Sequence, residues 1–221
     1  MAAAIAAALL LSGCTSASRP AESAPPTGTP SPSPTPVVTP TPEPEPADGE
    51  LVLVRDYIPG IFIDLKYATT DNFTGRVIYD SDEAYLRYGT VKKLLCAQNE
   101  LSGRGLSLKI WDAYRPVSAQ FKLWEICPNP VYVSDPNNGY SKHSRANTVD
   151  ITLVTDTGKS IPMPSGFDDF TSLADRDYSD VSAEAAENAR LLENVMVENG
   201  FVPYSGEWWH YSDSVAYDVY G

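Results

Sequence analysis

The chain has 221 residues, 43% hydrophobic, 20% charged and 10% aromatic, a composition that fits a globular protein and excludes a mainly disordered or membrane-spanning one. Formal net charge is -13, and residues 15–50 carry -4 of it (Arg19 against Glu22, Glu43, Glu45, Asp48 and Glu50), which leaves -9 on the remainder. No basic face can form from such a balance, so nucleic acid and anionic lipid headgroups are excluded as partners.

At the N-terminus, Ala2 to Leu11 are ten uninterrupted apolar positions, about half of the roughly 20 that a bilayer-spanning helix needs. They read as the core of an export signal. The following Leu11-Ser12-Gly13-Cys14 resembles the bacterial lipobox, in which the signal is removed ahead of a cysteine that becomes lipidated. No Lys or Arg precedes the apolar run, a departure from the usual signal pattern. Residues 1–14 are thus expected to be a lipoprotein-type signal segment, with a lipid anchor at Cys14 as the only membrane attachment. Export to the outer face of a bacterial cytoplasmic membrane is the expected localisation. Eleven of the 19 prolines fall between Pro20 and Pro46. A segment so rich in Pro, Ser and Thr cannot bury a core, so residues 15–49 are expected to be a tether, reaching on the order of 100 Å if extended.

Residues 50–221 are long enough for one core and one domain. Leu51–Arg55 and Ile61–Leu65, short and β-branched around Pro59-Gly60, predict two strands. Val91, Leu94, Leu95 and Gln98 recur at helical spacing, which predicts a helix over about 90–101 stopped by Ser102-Gly103. Leu106–Trp111 alternates with period two and predicts a half-buried strand that delivers Asp112-Ala113-Tyr114-Arg115-Pro116 at its end. A helix over 118–126 follows, then a strand at 149–154, a helix over 183–199 capped by Gly200, and closing strands at 201–204 and 208–211. Strands and helices mix without βαβ alternation, which predicts an α+β single domain with a largely antiparallel sheet and flanking helices. Cys96 and Cys127 form an even pair once Cys14 is set aside; a bridge between them would close a loop of about 30 residues and add about 3 kcal/mol, and two free thiols are the alternative. Of Trp208 and Trp209, alternating on one strand, one is expected in the core and the other on a pocket wall. Asp175, Asp177 and Asp180 lack the Gly and the terminal Glu of an EF-hand and read as a solvated loop.

Only two histidines are present, and both have carboxylates at meaningful spacing. Asp150 follows His143 by seven residues at the start of a predicted strand, and Glu207 precedes His210 by three. Two nitrogen donors, one oxygen donor and a spare carboxylate form the inventory of a catalytic zinc site with an open position. Spacing alone leaves this reading level with the alternative that each His satisfies a local hydrogen bond.

Ser141-x-His143-x6-Asp150 and Glu207-x-x-His210, together with Asp64-Leu65-Lys66-Tyr67-Ala68-Thr69, Asp71-Asn72-Phe73-Thr74-Gly75 and Trp111-Asp112-Ala113-Tyr114-Arg115-Pro116, closely resemble the zinc D-alanyl-D-alanine dipeptidases. The likeness runs in one order over about residues 51–211. It implies one Zn2+ per chain held by His143, Asp150 and His210, Glu207 as the general base, and Arg115 facing the scissile carbonyl; the alternative for Arg115 is a surface ion pair with Asp112. It also implies that Asp168 receives the free amino group of a small D-amino-acid dipeptide, with Ser141 beside it. Ala146 and Thr148 stand where the family usually has Gly and Ala, which alters the loop between the ligands and not the ligands. The implied reaction is hydrolysis of D-Ala-D-Ala to two D-Ala. Two alternatives are a D,D-carboxypeptidase that trims terminal D-Ala from peptidoglycan stems, and a non-catalytic cell-wall-binding domain; protein partners are not specified.

Overall fold

The computed structural model describes residues 44–220; the signal segment, Cys14 and most of the 15–49 tether lie outside the described residues. Two short strands, β1 (Leu51–Leu53) and β3 (Tyr85–Arg87), pair antiparallel. The main sheet has the order β2-β4-β5-β7-β6, from β2 (Phe62–Ile63), β4 (Leu106–Asp112), β5 (Thr148–Thr155), β6 (Phe201–Tyr204) and β7 (Glu207–Asp213). Only the β2–β4 pair is parallel among these. The expected α+β domain with a largely antiparallel sheet is therefore the observed one.

Flanking it are α1 (Val54–Tyr57), α2 (Tyr88–Ser102), α3 (Val117–Ile126) and α4 (Ala183–Glu198). The helical period seen in the sequence faces the core in α2: Val91 and Leu94 are fully buried and Leu95 is half-buried, with Leu101 fully buried further along the helix. Gln98 belongs to the same stripe for a polar reason. Its side chain donates to Ser107 Oγ at 3.0 Å and accepts from the Leu108 amide at 2.9 Å, which pins the helix to β4. Helix α2 starts at Tyr88, ahead of the predicted start. Gly89 lies in its first turn, where a Cβ would stand 2.6 Å from the Tyr217 hydroxyl. Helix α4 is capped by Ser182, whose hydroxyl accepts from the Ala185 amide at 3.2 Å, and Gly200 follows at φ +85.

Two of the predicted strands are shorter than their apolar runs. Residues 51–55 are extended only through Leu53, where pairing with β3 ends; Val54 then donates to Ala84 O and the chain turns through α1. Likewise 61–65 pairs only at Phe62–Ile63. Hydrophobicity marked both segments for burial, but the partner strand decided where the ladder stops. Trp208 and Trp209 are both buried, at 0% and 1% exposure, so neither is left as a pocket wall in the manner expected. The Trp208 indole donates to Ser165 Oγ at 2.9 Å, and the Trp209 ring packs on Phe167. Cys96 is exposed and Cys127 half-buried, and both are free thiols. Asp175, Asp177 and Asp180 accept local hydrogen bonds from Asp177 N, Ser179 N and Ser172 Oγ.

Candidate metal centre

Three neighbouring strands of the main sheet converge on one point. In the β5–β7 ladder Asp150 lies directly opposite His210, and in the β4–β5 ladder Asp112 lies opposite Asp150. A register shift between Ile110 and Asp112 brings this about: Trp111 is the extra residue, and the bulge re-aims the end of β4. His143 arrives from outside the sheet on a 3-10 turn, Lys142–Arg145, whose N-cap is Ser141; the Ser141 hydroxyl accepts from the His143 amide at 3.3 Å. The chain then passes through Ala146 in the left-handed conformation (φ +58) before entering β5.

His143, Asp150 and His210 each offer a donor atom, and these atoms lie within 4.8 Å of one another. His143 Nε2 is 3.3 Å from Asp150 Oδ2, and His210 Nδ1 is 2.9 Å from Asp150 Oδ1. Donors about 2.1 Å from a tetrahedral centre stand roughly 3.3 Å apart, so the set fits zinc. The tautomer of His143 follows from its other nitrogen. Nδ1 is 2.9 Å from the carbonyl of Ala113, which can only accept, so Nδ1 carries the proton and Nε2 presents its lone pair towards Asp150. Burial raises the Asp150 carboxyl, but the two imidazoles outweigh burial and hold it well below the ordinary carboxylate range. A carboxylate that stays ionised beside two imidazoles is a ready metal ligand.

Glu207, at the start of β7, places Oε2 3.5 Å from His210 Nδ1 and keeps about a third of its side chain exposed. Burial and the Asp150 charge push its carboxyl above the usual value. A cleft of about 270 Å³ opens here, lined by Tyr132, Ser134, Ser141, Lys142, Tyr204, Glu207 and His210 among others. A cavity of similar volume lined by Leu51, Ile78, Tyr79, Pro116 and Ala119 contains none of the candidate ligands.

Arg115 makes the ion pair with Asp112 that was the alternative to catalysis, at 2.5 Å, but inside the protein and not on the surface. Asp112 is fully buried and Arg115 8% exposed. The guanidinium also donates to Gln120 Oε1 at 2.9 Å and to the Tyr79 hydroxyl at 3.3 Å, and it lies over the Tyr67 ring at 5.1 Å. Five fixed donors, three of them committed to supports, leave the fork locked in place. Asp112 was named as the ion-pair partner of Arg115, whereas Tyr79, Gln120 and Tyr67 are supporting residues that the sequence did not single out. Tyr67 and Asp112 lay inside segments quoted above, whereas Gln120 carried no signal.

Asp168 sits in a left-handed backbone position (φ +52), half-buried, and accepts a hydrogen bond from the Tyr67 hydroxyl at 2.7 Å. Burial, with the charges of Asp150 and Glu207, outweighs Tyr67 and Arg115 and raises its carboxyl to about 7. Asp168 therefore shares the electrostatic field of the metal centre without joining it. Thr148, where the family usually has Ala, turns its hydroxyl to Ser212 Oγ at 3.0 Å, away from any ligand role.

A buried His-Asp-His set with an acid alongside and a fixed guanidinium nearby defines a zinc metallopeptidase centre. The family model described as D-ala-D-ala dipeptidase, Peptidase_M15, matches residues 47–218, and the chain belongs to that family. It is 39% identical over 162 residues to the D-alanyl-D-alanine dipeptidase of Escherichia coli (strain K12), covering 73% of this chain and 83% of that protein. The dipeptidase of Streptomyces coelicolor is 36% identical over 188 residues, covering 74% of this chain and 91% of its own. That of Enterococcus faecium is 35% identical over 176 residues, covering 71% and 87%.

Proposed function

We propose that this chain is an exported zinc dipeptidase that hydrolyses D-Ala-D-Ala, with His143, Asp150 and His210 as ligands, Glu207 as base, Arg115 as oxyanion partner and Asp168 with Ser141 as the amine subsite. The observation that carries this reading is the convergence of His143, Asp150 and His210 within 4.8 Å, with Glu207 alongside at the mouth of a small cleft. Membership of the dipeptidase family supports the substrate.

Zinc, when bound, supplies Lewis-acid polarisation and makes water more acidic. Glu207 then accepts a proton from the attacking water and returns it to the leaving amine nitrogen, the shuttle its raised pKa suits. Arg115 points fixed donors at the carbonyl oxygen as negative charge grows there, and its buried pairing with Asp112 keeps the fork from swinging away. Asp168 pairs with the substrate ammonium, which selects a free dipeptide against an acylated stem peptide.

Export, lipid attachment at Cys14, a tether over residues 15–49 and action near the cell wall are part of the same proposal. They rest on the ten apolar residues before Leu11-Ser12-Gly13-Cys14 and on the proline-rich stretch after it. The test is hydrolysis of D-Ala-D-Ala beside N-acetyl-D-Ala-D-Ala by the zinc-loaded protein. Cleavage of the free dipeptide alone is expected, and Glu207→Ala should lower the rate by about 10² to 10⁴. Preference for the acetylated substrate would move the assignment to a D,D-carboxypeptidase.

A further inference from the structure

Charge pairing at Asp168 does not explain how a dipeptide is told from a longer peptide that also ends in a free amine. An ammonium carried one residue further out, about 3.5 Å along an extended chain, can still be attracted by the same carboxylate. A second element is needed, and it should be steric.

Two residues after Asp168, Phe170 meets Tyr132 at 4.3 Å between ring centroids (34° between planes) and Phe73 at 5.3 Å (79°). Phe73 in turn reaches Tyr67, whose hydroxyl holds Asp168. Tyr132 lines the cleft with Ser141, Glu207 and His210. Three irregular segments that share no sheet or helix are thus joined by ring contacts running from the wall of the cleft to the support of Asp168. Tyr132 and Phe170 remain 45% and 41% exposed, so core burial alone does not account for their pairing.

We propose that the Tyr132–Phe170–Phe73 clasp closes the amino end of the cleft and makes it a length stop, so that these rings, rather than the Asp168 charge, exclude peptides extended by one residue. The proposal rests on the dipeptidase reading above. Tyr132 and Phe170 act by shape and are positioning residues for specificity.

The test compares kcat/KM for D-Ala-D-Ala with kcat/KM for Gly-D-Ala-D-Ala, scored by release of Gly-D-Ala and D-Ala, in wild type, Phe170→Ala, Tyr132→Ala and Phe170→Leu. Because both rings are half-exposed, truncation opens no core, and circular dichroism checks the fold of each variant. The expected result is that both Ala variants gain on the tripeptide so that the discrimination ratio falls about tenfold or more. Phe170→Leu, which retains bulk, should restore most of the ratio. A ratio unchanged within about twofold in both Ala variants, with dipeptide hydrolysis intact, overturns the clasp and leaves the dipeptidase reading standing. A wild-type protein that binds zinc but cleaves no D-Ala-D-Ala overturns that reading, and the clasp with it.

Discussion

Asp168 shows how much one residue's surroundings decide. Its carboxyl stands at about 7 because burial disfavours the charge, and Asp150 and Glu207 add repulsion. Only the ionised form can receive an ammonium, so kcat/KM for D-Ala-D-Ala should fall as pH drops through about 7. Bound zinc offsets the Asp150 charge and can only move that limb lower. In Asp168→Asn the limb disappears and KM rises, which a pH profile of kcat and KM measured separately will show. Ala146 is a second single-residue case. At φ +58 its methyl group costs about 1 to 2 kcal/mol, whereas Gly adopts that conformation freely. Ala146→Gly should therefore stabilise the fold by about 0.5 to 1 kcal/mol after the extra freedom Gly gives the unfolded chain is deducted. Thermal unfolding at matched zinc should show a rise of about 1 to 4 °C, and a fall would mean the alanine methyl has a packing role.

At the scale of elements, the turn Lys142–Arg145 that presents His143 has little regular structure of its own and is held from two sides. The backbone of the C-terminal segment straps it. Tyr220 N donates to Ser144 O at 2.8 Å, Arg145 donates to Tyr217 O at 2.7 Å, and Arg87 donates to both Arg145 O and Asp218 O. Arg87 also lies over the Tyr217 and Tyr220 rings. Since each such bond contributes about 1 kcal/mol, removal of residues 217–221 should loosen the turn. Zinc affinity should weaken by about tenfold or more, read by competition with a chromogenic chelator, while the far-ultraviolet spectrum of the sheet stays unchanged. Unaltered zinc affinity would show that Ser141 and the Ala113 carbonyl position His143 unaided.

For the whole molecule, the metal centre ties β5, β7 and the His143 turn together, so zinc is expected to stabilise the domain as well as activate it. At a free zinc concentration about 100 times Kd, linkage gives about 2.7 kcal/mol. Chelation should then lower Tm by about 5 to 10 °C in calorimetry. No change in Tm on chelation would mean that the folded chain has no preference for the metal over the unfolded one. Among the described residues no helix is long and apolar enough to cross a membrane.

Much of this was legible in the residues themselves. The period of Val91, Leu94, Leu95 and Gln98 announced α2, the alternation over Leu106–Trp111 announced β4, and Gly200 marked the end of α4, because local propensity and burial agreed there. The two histidines and their carboxylates supplied the atoms that zinc requires, but spacing left that reading level with local hydrogen bonds, and it was the resemblance that named the donor set. What the chain order could not convey was convergence. Asp112, Asp150 and His210 meet through ladder register and a bulge, and Arg115 is aimed by Tyr79, Gln120 and Asp112 from separate elements. The short ends of β1 and β2, the burial of both tryptophans and the meeting of Tyr132 with Phe170 have the same origin. Residue type, local spacing and resemblance thus determined the chemistry available to this protein. Only tertiary structure decided where each group points and what shields it, because register, burial and ring contacts depend on partners distant in the chain.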